Sequence, residues 1–127
     1  MRPWTAEELA RIGDAEEIGI ASSRADGSSR RHVTIWVARV GDRLFVRSAY
    51  GPGNGWYRLA RASRQGRVRA AGIEHPARFI DVAADDPVHE ALDAAHRDKY
   101  HRHPPRVVAT VVGPAAAATT LRVEPGD

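Results

Sequence analysis

The stretch Ile35-Trp36-Val37-Ala38-Arg39-Val40-Gly41-Asp42-Arg43-Leu44-Phe45-Val46-Arg47 decides the fold. Gly41-Asp42 is a Gly-X pair between two alternating, β-prone arms. It suits a two-residue type II′ turn, because glycine takes the positive φ of the first turn position without strain. The turn sets the register: Val40 faces Arg43, Ala38 faces Phe45, Val37 faces Val46 and Trp36 faces Arg47, and opposed side chains share a face. One face carries Val33, Ile35, Val37, Leu44, Val46, Ser48 and Tyr50 and reads as barrel interior. The other carries His32, Thr34, Trp36, Ala38, Phe45 and Arg47. There Trp36 and Arg47 are placed to sandwich a flat anionic ligand, or to stack on each other for ~1 kcal/mol.

Working outward, Thr5 caps a helix over residues 5–15, with Glu7 and Glu8 in the first turn where the macrodipole favours negative charge. Ile18, Ile20 and Ser22 alternate with Gly19, Ala21 and Ser23, and the turn Ala25-Asp26-Gly27-Ser28 leads into a continuous strand over residues 31–40. After the Gly41 hairpin, Ala49-Tyr50-Gly51-Pro52-Gly53-Asn54-Gly55 forms a loop that opens onto a helix over 56–63. Its inward stripe is Trp56, Leu59, Ala60 and Ser63, with Arg58 and Arg61 outward. Strands over 67–73 and 77–83 join through Glu74-His75-Pro76. Asp86 caps a helix with Pro87 at its first position, which runs to Tyr100, buries Val88, Ala91, Leu92 and Ala95, and stops at His103-Pro104-Pro105. Residues 107–112 and 119–123 read as strands. The result is seven strands and three helices: mainly β, α+β, a small antiparallel barrel with helical covers.

At 127 residues there is room for one domain with its own core. The chain has no cysteine, which excludes disulfides, thiolate metal sites and a cysteine nucleophile and fits a cytoplasmic protein. The sequence shows neither a signal core at Met1-Arg2-Pro3-Trp4-Thr5 nor an apolar run of the ~20 residues that span a bilayer, so a membrane partner is not expected. Lys99 is the only lysine among 19 basic residues, and the net charge of +3 decides nothing; nucleic-acid binding, motivated by Trp36, Phe45 and Arg47 on one barrel face, ranks last and is not expected, because aromatic content is only 6% and 16 acidic residues are interspersed.

The glycine loop entering a helix is the most informative local feature. Glycines let backbone approach a phosphate, the first helical N–H groups are unpaired donors, and Arg47 arrives just before while Arg58 leaves just after. His89, Asp93 and His96 share one face of the third helix; the reading here is a solvated outward face and no metal. Asp93 and Arg97 are spaced for an i,i+4 surface pair. No serine sits in a nucleophile elbow. Tyr57 and Tyr50, flanking the loop, are the candidate proton donors, against the alternative that each packs a ring.

Taken together, Ile18-Gly19-Ile20-Ala21-Ser22-Ser23-Arg24, Asp26-Gly27, Arg31, Ile35-Trp36-Val37, the stretch from Gly41 to Ser48, Gly51 and Trp56-Tyr57-Arg58 resemble the split-barrel flavin- and deazaflavin-binding superfamily. Its deazaflavin-dependent nitroreductase branch has this order of elements. With Asp93-Ala94-Ala95, Arg97, Lys99-Tyr100 and Thr120-Leu121 added, the chain is closer still to the bacterial family called domain of unknown function 2255, and the resemblance covers nearly the whole chain. It implies an antiparallel split β-barrel of the flavin-binding type. It also implies phosphate or polar-tail contacts at Ser22, Ser23, Arg31, Arg47 and Ser48, and an isoalloxazine-like ring near Ile35, Trp36, Trp56 and Tyr57. The deazaflavin branch usually carries a lysine and a proline just before the Trp-Tyr pair; here Pro52-Gly53-Asn54-Gly55 stands in that place.

The expectation is therefore a small oxidoreductase that holds FMN or a deazaflavin coenzyme and passes hydride to an electron-poor organic acceptor, with Gly51 and Arg58 joining the anion contacts. By analogy the protein is expected to be a homodimer. The alternative from another class is a cofactor-free binding protein, or a non-redox enzyme, that uses the same pocket for an acidic metabolite.

Overall fold

In the computed structural model, which describes residues 3–126, the Gly41 hairpin forms in the expected register: Val40 faces Arg43 and Ala38 faces Phe45, with Gly41 at φ +62°. The elements run α1 (Ala6–Asp14), β1 (Ile18–Ser22), β2 (Val33–Ile35), β3 (Ala38–Val40), β4 (Arg43–Arg47), α2 (Gly55–Ser63), β5 (Gln65–Ala70), β6 (Ile73–Asp81), α3 (Val88–Lys99), α4 (Pro105–Val108), a 3₁₀ turn (Ala109–Val111), α5 (Pro114–Ala117) and β7 (Thr120–Pro125). The strands form one antiparallel sheet in the order β2-β1-β5-β6-β7-β4-β3.

That order forces the sheet to curl. Its two edges, β2 and β3, are joined by Trp36-Val37 alone, so Ile35 and Ala38 lie at most about 11 Å apart. Paired strands sit about 4.8 Å apart. The sheet therefore bends round into a barrel left open along one seam, and Trp36 stands in the seam.

The interior is apolar because the alternation in each strand turns one face inward. Ile18, Ile20, Leu44, Val46, Phe79 and Leu121 are buried there. Helix α1 plugs one end through Leu9 and Ile12; Thr5 caps it, and Glu8 returns a bond to the Thr5 N–H. Trp4 anchors the plug, its Nε1 donating to the Val123 carbonyl at 2.8 Å. Helix α2 closes the other end through Tyr57 and Ala60. Helix α3 lies on the outside of the β3–β4 hairpin, where Leu92 packs on Ala38 and Phe45.

Several sequence expectations are corrected. The strand over 31–40 is interrupted at Trp36-Val37, because each part pairs with a different edge. Pro76 does not join two strands but lies inside β6. Its carbonyl accepts from the Gly126 N–H, so the N–H it lacks would point past the end of β7. The true turn is Ala71-Gly72, at φ +50° and +80°. Residues 107–111 are helical and Val112 is extended but unpaired among the described residues: Pro105 pre-sets a helical first turn, and this outweighs the β-branched valines. The strand number still comes to seven, since the broken strand makes up for the lost one.

Both later helices present a different stripe from the one expected. In α2 the buried residues are Tyr57 and Ala60, while Leu59 is 38% exposed. In α3 they are His89, Leu92 and His96, so the expected outward histidine face is the inward one, and Ala91 is exposed.

Candidate functional site

The open seam leads into a cavity of about 350 Å³ walled by Ile35, Trp36, Tyr50, Asn54, Trp56 and Val111. Strand β2, the Trp36 bridge, the start of α2 and the 3₁₀ turn each contribute a side. Trp36 lies flat on the Tyr100 ring, with centroids 3.9 Å apart and planes 5° from parallel, and His103 tilts against it at 4.7 Å. Tyr100 in turn grips the bridge: its phenol oxygen accepts from the Val37 N–H at 3.1 Å, and its proton is shared between the Glu16 and Val37 carbonyls at 2.8 and 3.0 Å. Burial pushes this phenol well above its ordinary range. Lys99 adds a bond from Nζ to the Val37 carbonyl at 2.6 Å, and burial pulls its amine down to about 8. The end of α3 thus fixes the plane of the cavity wall.

The opposite rim is a strap over residues 48–54. Ser48 Oγ donates to the Gly51 carbonyl at 2.5 Å and accepts from Asn54 Nδ2 at 3.0 Å, and Asn54 Nδ2 also reaches the Ala49 carbonyl at 2.5 Å. These bonds hold Tyr50 at φ +66°, a strained left-handed conformation for a residue with a Cβ, and leave its ring 83% exposed at the mouth. Because Asn54 turns back to the strap, no side chain caps α2. Asn54 and Trp56, at the positive end of that helix, line the cavity.

Arg47 reaches the cavity from beneath, and its guanidinium is held by four partners. Nε donates to Thr120 Oγ1 at 2.9 Å, Nη1 to Asp93 Oδ1 and, at 2.8 Å, to the Val111 carbonyl, and Nη2 to His89 Nδ1 at 2.9 Å. The Arg47 side chain is fully buried. His89 Nε2 then donates to the Ala83 carbonyl at 2.7 Å, which fixes its tautomer. Burial lowers the Arg47 guanidinium from its ordinary value, against the pull of Asp93. For Asp93 burial works upward, yet the bonds from Arg47 and the Gly113 N–H outweigh it and hold the carboxyl below its usual range. Arg47 therefore ties β4 to α3, and Asp93 meets its charge. Asp93 is its partner rather than half of a surface pair with Arg97.

The fold brings Ile35, Trp36, Arg47, Tyr50 and Trp56 to one cavity. Ser48 and Gly51 belong to the strap behind it. Arg31 and Arg58 are exposed, with no carboxylate in ion-pair reach among the described residues. Ser22 is buried and Ser23 lies in separate grooves. Tyr57 is 3% exposed within the core and does not line the cavity. The residues that sequence reasoning missed are Asn54, Tyr100 and Val111. Lys99-Tyr100 stood in the family pattern, but nothing in its spacing pointed across to Val37. Among the described residues no three His, Asp or Glu side chains gather as a metal site, and no helix is long and apolar enough to cross a membrane.

A family profile described as "Uncharacterized protein conserved in bacteria (DUF2255)" matches residues 8–123. No curated protein matches the sequence significantly. Among solved structures, an F420 reductase is 17% identical with a TM-score of 0.55, over 94% of this chain and 93% of that one. An FAD and heme binding protein from Mycobacterium smegmatis is 20% identical with a TM-score of 0.54, over 96% and 67%. An FAD-binding protein from Mesorhizobium loti is 18% identical with a TM-score of 0.55, over 99% and 93%. At these identities the likeness is one of fold, and it agrees with the split barrel described above.

Proposed function

We propose, from the premise that this chain belongs to the DUF2255 family, that its cavity holds the ring of a flavin or deazaflavin and that the protein is an oxidoreductase acting on a small electron-poor acceptor. One observation carries the reading: a cavity of about 350 Å³ with indole walls at Trp36 and Trp56 opens at the uncapped N-terminus of α2. Flat aromatic walls suit a flat tricyclic ring, and the volume lies within the ordinary range for small-molecule sites. When bound, such a ring supplies the hydride chemistry. The chain's own part is to pack the ring between Trp36, Ile35 and Trp56 and to set the positive end of α2 against charge that builds on the ring. Arg31 and Arg58, which lack carboxylate partners among the described residues, would take the anionic tail. Tyr50 at the mouth is the proton donor within reach of an acceptor.

A homodimer belongs to the same proposal. Val33 is 41% exposed on the unpaired edge of β2, beside the cavity and the exposed Tyr50 ring, and a second copy would cover this rim. The alternative, a cofactor-free binding protein or a non-redox enzyme that uses the same pocket for an acidic metabolite, is favoured by one fact: Pro52-Gly53-Asn54-Gly55 stands before the Trp-Tyr pair, with no lysine there.

Titration of the purified protein with riboflavin, FMN and the deazaflavin coenzyme, followed by fluorescence, separates these readings. Quenching that saturates at micromolar ligand is expected for at least one of them, from a species that light scattering shows to be a dimer. No binding of any of the three at about 100 μM would move the cavity to the alternative.

A further inference from the structure

We propose that an arginine-lined track around the α2 end of the barrel binds the phosphodiester backbone of a nucleic-acid strand, without base specificity. The charges are not evenly mixed along the chain. From Arg24 to Arg78 twelve arginines meet only Asp26, Asp42 and Glu74, a net +9; the rest of the chain holds seven basic and thirteen acidic residues, a net −6.

The fold gathers six of those arginines. Three depressions of about 350, 330 and 350 Å³ run one into the next. Arg24 and Arg30 line the first, which shares Ser23 and Gln65 with the second. Arg67 and Arg78 line the second, and Arg78 continues into the third beside Arg61 and Arg64. None of the three shares a lining residue with the cavity beside Trp36. Asp81 is the one carboxylate among the lining residues.

These guanidiniums are available. Arg24 bonds Ser28 Oγ and the Ser29 carbonyl, and Arg30 bonds the Ser23 carbonyl, so neutral groups orient both without cancelling their charge, although Asp26 stands near Arg24. Arg64, at the end of α2, has no carboxylate in reach among the described residues. Arg61, Arg67 and Arg78 pair with Asp81, Glu74 and Glu124 at 3.2, 3.5 and 2.9 Å, with each side chain about a third to three-fifths exposed. Such water-screened pairs exchange readily for a phosphate.

The shape selects the occupant. A chain of phosphates fits a winding concave track of guanidinium forks, whereas a bilayer surface is too broad to enter it. The only aromatic lining residue, Phe79, is 2% exposed, so there is no platform for base stacking and sequence preference is not expected. This revises the expectation of no nucleic-acid partner, which rested in part on charges that seemed interspersed.

The test is fluorescence anisotropy of the full chain with a labelled single strand of about 12 mixed nucleotides, at about 50 to 300 mM salt. Binding in the tens of micromolar at the lowest salt is expected, with a log–log salt slope of about −2 to −3, the signature of three to four phosphates neutralised. The variant R30E/R64E should bind about tenfold more weakly with an unchanged circular dichroism spectrum, and a neutral-backbone oligomer of the same sequence should not bind. No binding at about 200 μM, a flat salt dependence, or equal binding of the neutral oligomer overturns the proposal. So does capture of inorganic polyphosphate or anionic vesicles by a protein that ignores the strand. Should the variant misfold, the salt slope and the neutral oligomer decide on the wild-type chain.

Discussion

Asp93→Ala is expected to cost about 3 kcal/mol, measured as a drop in the urea-unfolding free energy. The substitution leaves the fully buried Arg47 guanidinium without its carboxylate, with Thr120, Val111 and His89 as its remaining partners. Domains of this size hold only about 5 to 15 kcal/mol in all, so the variant should be visibly frail at 37 °C. Arg47→Met combined with Asp93→Leu should recover only part of the loss, because it removes both charges at once but leaves the Val111 carbonyl, His89 Nδ1 and the Gly113 N–H without their partners. A loss below about 1 kcal/mol for Asp93→Ala would mean that the tie between β4 and α3 is not what anchors that helix.

Between pH 6.5 and about 4 the protein is expected to lose about 3 kcal/mol of stability through His96. The ring is completely buried. Its Nδ1–H donates to the Leu92 carbonyl at 3.0 Å, while Nε2 has no partner among the described residues, so an added proton there would meet no acceptor among them. Burial accordingly pulls the imidazole down to about 4, against the Leu92 bond, and Arg47 and Lys99 pull the same way while Asp93 opposes them. The unfolded chain takes the proton near 6.5 and the folded chain only near 4, so acid favours unfolding throughout that window. His32, also lowered by burial, acts in the same direction, whereas Asp93, Glu16 and Glu124 lose their stabilising charge only below the ordinary carboxylate range. Subtracting the profile of His96→Leu isolates the effect: the two proteins should be close at pH 7 and about 2 kcal/mol apart at pH 5, with the variant more stable. Parallel profiles would show that His96 has a route to water.

What the sequence made legible follows from how local each signal is. The Gly41 turn, the register of its first pairs and the Thr5 cap are settled by neighbouring residues and stand as expected, whereas the pairing of Val37 with Val46 and of Trp36 with Arg47 does not form because the strand breaks there. Trp36 and Trp56 could be placed at one pocket because a short hairpin and the loop after it connect them. The roles of Arg47, Asp93 and Tyr100 were illegible for the opposite reason. Arg47 meets a residue 46 positions away, and Tyr100 one 63 positions away, and both contacts depend on α3 turning its polar stripe inward. Amphipathic patterning expects histidine to face water, and it fails where a buried arginine supplies the partner. Pro76 misled through a rule that holds inside a sheet but not where the neighbouring strand has run out.

The central claim is that Trp36 and Trp56 wall a site for a flat redox ring. Riboflavin isolates it, because it carries the ring without a phosphate. Its dissociation constant should rise at least about tenfold in Trp36→Leu and again in Trp56→Leu, while Leu59→Ala, exposed on α2, leaves it unchanged. Equal affinity in all four proteins would place the ligand elsewhere and leave the barrel without its assigned occupant.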